Sequence, residues 1–120
     1  MGLFNWFKKT KDKVLQLRTA KVSIEKPTYK QVVEHIKAVH SGGEFIELLY
    51  KNEQGEDTYL VATPDGDNFF AIEYQKVDPK EKYKLGGVDV ESTMCFFRDF
   101  TEVQKIIDYD FENNEFIKID

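Results

Sequence analysis

Between residues 44 and 75 the chain alternates short apolar runs with turn chemistry. EFIELLYK (44–51), DTYLVAT (57–63) and NFFAIEYQ (68–75) are rich in aromatic and β-branched residues, and they are separated by NEQGE and PDGD. In the second connection Pro64 presets φ and Gly66 accepts positive φ, the chemistry of a tight turn. The pattern predicts a β-meander. Leu60, Val61 and Ala62 form a continuous apolar stretch, which predicts a central strand covered on both faces.

The flanks carry different periods. AKVSIEK (20–26) sets Val22 and Ile24 against Lys21, Ser23 and Glu25, predicting a half-exposed strand near an edge. Next, Thr28 with Gln31 makes a capping-box pattern, with Pro27 and Val32 placed as a staple. Tyr29, Val32, Val33, Ile36 and His40 share one helical face, and Gly42 and Gly43 end that helix. Downstream, residues 76–91 read as a long polar loop with room for a short strand, and STMCFFR (92–98) as a strand. Asp99 with Glu102 and Thr101 with Gln104 offer overlapping caps for a closing helix through Val103, Ile106, Ile107 and Phe111. EFIKI (115–119) adds an end strand.

At the start of the chain, MGLFNWFKKTKDK and its continuation place Leu3, Phe4, Phe7, Val14 and Leu17 on one side of a helix. The sum is a single α+β domain over residues 1–120, with a basic aromatic helix over 1–18 and an α+β core over 20–120. Its antiparallel meander sheet of about five to six strands carries the N-terminal, second and C-terminal helices.

Composition narrows the class. Hydrophobic content of 41% in 120 residues supports a packed core, so the chain is not of the disordered type. Cys95 is the only cysteine, which rules out an intramolecular disulfide and fits a reducing compartment. No run approaches the roughly 18 apolar residues of a spanning helix. Lysine arrives at position 8, before any secretory apolar region, and Trp6 stands where a myristoylation motif needs Ser or Thr. A cytoplasmic protein is expected.

Charge is distributed unevenly. Residues 1–39 hold nine basic and three acidic residues, residues 40–87 five and ten, and residues 88–120 three and nine. A basic start is followed by an acidic remainder. Such asymmetry concerns partners and steering rather than fold.

No catalytic signature emerges, and the chain reads as a binding protein rather than an enzyme, with no cofactor and no metal expected. His35 and His40 are about 140° apart on a helix, too far round to hold one metal together. Cys95 lies beside Phe96 and Phe97, with nothing nearby to lower its pKa. Asp65-Gly66-Asp67-Asn68 is turn chemistry, because an EF-hand would need a glutamate where Lys76 stands. Gly86-Gly87 lacks the spacing of a phosphate loop. The basic segment with Phe4, Trp6 and Phe7 has the ingredients of a nucleic-acid patch, but the acidic remainder would repel phosphates, so no nucleic-acid partner is expected.

DTYLVATPDGDNFFAIEYQ, followed about twenty residues later by STMCFFRDFTEVQKIIDYDFENNEF, resembles a family of small bacterial immunity proteins. It is the family numbered first among those attached to polymorphic toxin systems. The shared features are a helix before a meander, a strand pair meeting at an aspartate-glycine turn, and a late strand running into a short helix. They span residues 28–116. The resemblance implies a cytoplasmic protein that binds and neutralises one cognate toxin, typically a nuclease or another intracellular enzyme. An acidic surface would suit a nuclease's basic cleft, and Asp65, Asp67, Asp89, Glu91, Asp108, Asp110 and Glu112 are the candidate contacts. The alternative reading is a peripheral membrane or scaffold-associated protein that uses the amphipathic opening, with Phe4, Trp6 and Phe7 as its membrane or packing face.

Overall fold

Seven strands form one antiparallel sheet in the order β2-β1-β3-β4-β5-β6-β7, described by a computed structural model over residues 14–119. The strands are β1 (Gln16–Thr19), β2 (Ser23–Glu25), β3 (Ile46–Lys51), β4 (Asp57–Pro64), β5 (Phe69–Lys76), β6 (Glu81–Asp89) and β7 (Ile117–Ile119). The helices are α1 (Tyr29–His40), α2 (Val90–Val103) and the short α3 (Asp108–Glu112). The protein is of the α+β class, with the expected meander at its centre.

Alternation of side chains across each strand builds the core. Ile24, Leu17, Leu48, Leu60, Tyr74 and Tyr83 stand opposite one another across six strands. A second row joins Ile46, Ala62, Ile72 and Leu85. Both rows point to the same face, where Val32, Ile36 and Val39 of α1 and Phe96, Phe97 and Phe100 of α2 complete the buried cluster. Leu60 and Ala62 are therefore buried under the helices, whereas Val61 points to the other face and is half-buried. The two long helices share one face instead of covering two.

Helix α1 forms as expected. Thr28 Oγ1 accepts the Gln31 N–H at 3.1 Å, and Gln31 Oε1 accepts the Thr28 N–H at 2.9 Å, closing the capping box. Helix α2 corrects the expectation of a strand at 92–98. Thr93, Phe96, Phe97 and Phe100 fall at helical spacing and are all buried, so the helical period outweighs the strand-like composition of the segment. The cap lies upstream of both expected ones: Asp89 accepts the Ser92 N–H at 2.7 Å. Asp99 and Thr101 are consequently interior, and Thr101 Oγ1 donates back to Phe97 O at 2.7 Å.

Two further expectations change. The segment expected as a polar loop with room for a short strand carries the nine-residue β6, whose polar residues alternate with half-buried Tyr83 and Leu85. Gly86-Gly87 is a bulge in it: Phe70 pairs with Val88 and Ile72 with Leu85, leaving one extra residue on β6. At the chain's start, residues 16–18 form part of β1 rather than the end of a helix, because Leu17 pairs with both Ile24 and Leu48 and is fully buried. The rest of the expected helix, with Phe4, Trp6 and Phe7, lies outside the described residues.

The bulge supplies a test. Gly87 has φ +63° and Gly86 has no such φ, while a Cβ at either meets no neighbour within 4 Å. Gly87→Ala is expected to cost about 1 kcal/mol through backbone strain alone, whereas Gly86→Ala is expected to be neutral or to stabilise by about 0.5 kcal/mol. Urea denaturation of the two variants checks the contrast.

Candidate functional site

The junction of α2 and α3 is built by groups that receive two consecutive backbone amides. Helix α2 ends on Gln104, held at φ 56° with its N–H donating to Phe100 O at 2.9 Å. The chain then turns inward at Ile106, which is buried. Tyr74 of β5 accepts the Ile106 N–H on its hydroxyl at 3.2 Å, and Asp99 of α2 accepts the Ile107 N–H on Oδ2 at 3.4 Å. These two acceptors hold the connection against the core and set where α3 begins.

Aromatic packing holds the far side of α3. Phe111 meets Tyr83 edge-on at 4.9 Å between ring centroids and stacks on Phe116 at 4.9 Å. Phe116 in turn packs on Phe96 of α2 at 5.4 Å. Beside this cluster Glu81 binds Lys118 Nζ at 2.9 Å and Lys76 Nζ at 3.2 Å, and it accepts the Tyr83 hydroxyl at 2.9 Å. Led by the bond from Lys118, these donors lower the Glu81 pKa to about 2. Burial raises the pKa of the Tyr74 phenol, which keeps it neutral as an acceptor for Ile106.

Between these supports lies a cavity of about 320 Å³ whose walls include Tyr74, Lys76, Val77, Ile106, Asp108 and Phe111. At its rim, where Val103 also lines it, and beyond, the surface is apolar where a helix face was expected to be buried. Val103 is 49% exposed, Ile107 38% and Tyr109 73%. Val103 and Ile107 share the expected spacing with Ile106, but the helix stops at Val103 and the left-handed turn at Gln104 rotates only Ile106 inward.

The seven acidic candidates do not form one surface. Phe69 pairs with Asp89, so the β4–β5 turn carrying Asp65 and Asp67 lies at the same end of the sheet as Asp89 and Glu91. Asp108, Asp110 and Glu112 lie on α3, which meets the opposite end of β5 through Tyr74. A strand of eight residues separates the groups by about 25 Å. Within the first group Asp89 is engaged as the α2 cap. Within the second, Asp108 and Glu112 are exposed, whereas Asp110 is half-buried against Asp99.

Asp99 was legible only as a cap, and Tyr109 was missed. Tyr109 carries one signal in the sequence: it stands between two aspartates and off the apolar spacing of its neighbours. Asp99 is 4% exposed, and its pKa is pushed up to about 7, first by burial and then by the hydrogen bond and charge of Asp110. The Ile107 N–H and the Arg98 charge oppose this shift. The Asp99 carboxyl therefore holds its proton more tightly than an exposed one, with Asp110 beside it across the α2–α3 contact.

Protein-family models, curated proteins and solved structures were all compared with the chain, and none of them matches it.

Asp99 makes folding take up a proton. Its unfolded value is near 4 and its folded value about 7, so the stabilisation is complete at low pH and is lost as pH rises through 7. Thermal melts followed by circular dichroism at about pH 5 and about pH 8 are expected to show a fall in Tm for the wild type. Asp99→Asn, which cannot ionise, flattens that fall and equals or exceeds the wild type at the higher pH.

Proposed function

We propose that this chain is a protein-binding module of the toxin-immunity type, which neutralises a cognate bacterial toxin by docking its α3 corner into a basic cleft. The observation that carries the reading is Tyr109: it is 73% exposed on a helix fixed from both sides, and it sits between Asp108 and Asp110 beside exposed Ile107 and Val103. An aromatic anchor on a rigid support, ringed by carboxylates, has the composition of a binding hot spot. The neighbouring cavity admits a side chain from the partner, with Lys76 and Asp108 at hand for polar contacts.

The mechanism divides the labour between charge and packing. Asp108 and Glu112 attract a basic cleft from a distance and raise the association rate. Tyr109, Ile107 and Val103 are desolvated at contact and slow dissociation. A nuclease fits this chemistry, because its substrate cleft must itself attract phosphates.

Co-expression with the product of the gene immediately upstream, in a host whose growth that product arrests, tests the proposal. The wild-type chain is expected to restore growth. Tyr109→Ala is expected to weaken the complex by about 2 kcal/mol, roughly thirtyfold in Kd. Asp108→Lys with Glu112→Lys is expected to lower the association rate about tenfold at low salt, with folding unchanged by circular dichroism. Full protection by both variants would remove the α3 corner from the interface, and failure of the wild type to protect would sink the reading itself.

A further inference from the structure

Strands β3, β4 and β5 carry apolar residues on both faces of the sheet. One set lies under α1 and α2, and the opposite face holds the other. There Leu49 stands opposite Tyr59, and Glu47 opposite Val61. Tyr59 in turn faces Gln75, Val61 faces Glu73 and Thr63 faces Ala71. Phe69, two residues from Ala71 on the same strand, is 45% exposed. Leu49, Tyr59, Val61 and Ala71 are half-buried and Gln75 is 4% exposed, although no helix among the described residues lies over them. Burial also leads the causes that raise the pKa of the Tyr59 phenol. A solvated sheet face turns polar residues outward, so this apolar row calls for a cover.

We infer that this face is the docking surface for the chain's own residues 1–13, with Phe4, Trp6 and Phe7 seated on Leu49, Tyr59, Val61 and Ala71. Attachment is the first argument. Gln16, the first residue of β1, pairs with Leu49, so residues 1–13 are tethered within three residues of the row. Length is the second. Thirteen residues reach at least about 20 Å. Strand β5 lies three strand spacings from β1, about 14 Å away, so the whole row is within reach.

Chemistry is the third argument. Three aromatics within four residues match an apolar row, and Lys8, Lys9, Lys11 and Lys13 match the carboxylates set along it. Arg18 Nε holds Glu47 at 3.0 Å. Tyr59 donates its hydroxyl to Glu73 at 2.8 Å, which leaves Glu73 without an ion pair among the described residues. Lys82 and Lys84, opposite Gln75 and Glu73, turn the face basic at β6 and bound the cover to β3–β5. The α3 corner packs on the opposite face through Tyr74 and Tyr83, so docking here leaves it free for a partner. Phe4, Trp6 and Phe7 are also the membrane face of the alternative reading. Seated on the sheet, they are withdrawn from lipid.

Trp6 is the chain's only tryptophan, so its fluorescence reports the docking directly. In the full chain its emission is expected to lie blue of the same chain unfolded in urea, and to resist acrylamide quenching. Val61→Lys places a cation in the row, where Glu47 and Glu73 on either side accommodate it within the sheet. This variant is expected to shift Trp6 emission to the unfolded position while keeping a cooperative thermal transition. Phe4→Ser with Phe7→Ser leaves the sheet residues untouched and is expected to give the same shift, which decides the matter if the Val61 variant unfolds. Vesicles of phosphatidylserine and phosphatidylcholine are expected to leave the wild-type emission unchanged. Emission that sits at the unfolded position in buffer and moves blue only with vesicles would assign the segment to a membrane. A blue shift that appears only as protein concentration rises would assign the face to a second copy. Either result overturns the inference, as would a shielded Trp6 whose emission neither variant alters.

Discussion

One-sided burial governs the described residues. A seven-strand sheet has two faces, and both long helices among those residues lie on the same one, so every strand from β1 to β6 must aim its alternate apolar residues at that face. A slip of one residue in any register would turn Leu17, Leu48, Leu60 or Tyr74 away from the helices. The bulge at Gly86-Gly87 respects the same constraint. Its extra residue lets Leu85 and Val88, which are three apart, both stay on the helix face.

The α3 corner follows from that packing. Tyr74 is the row member whose ring is buried but whose hydroxyl reaches the end of the helix layer, where it accepts the Ile106 N–H. With Ile106 drawn in, Ile107 and Tyr109 are left outside, and Phe111 turns back onto Tyr83. The exposed aromatic is thus a consequence of how the connection is anchored. Asp99 completes the anchor with a carboxyl group that is buried only because Asp110 and the Ile107 amide stand beside it. A buried acid facing a second acid is a costly way to fix a helix, and it makes the corner sensitive to pH.

Much of this was legible in the chain, and the failures share a cause. The capping box of α1, the three meander strands and the PDGD turn are decided within a few residues, and local chemistry specified them correctly. STMCFFR was misread because its aromatic and branched residues suit a strand as well as a helix. The decision lay in Phe100 and in the cap at Asp89, both outside the window. β6 was legible only as a short strand within a loop, because its pairing depends on β5, and Lys82 and Lys84 make most of it look like loop when read alone. The acidic candidates were read as one surface because sequence order carries no information about which end of β5 each residue occupies.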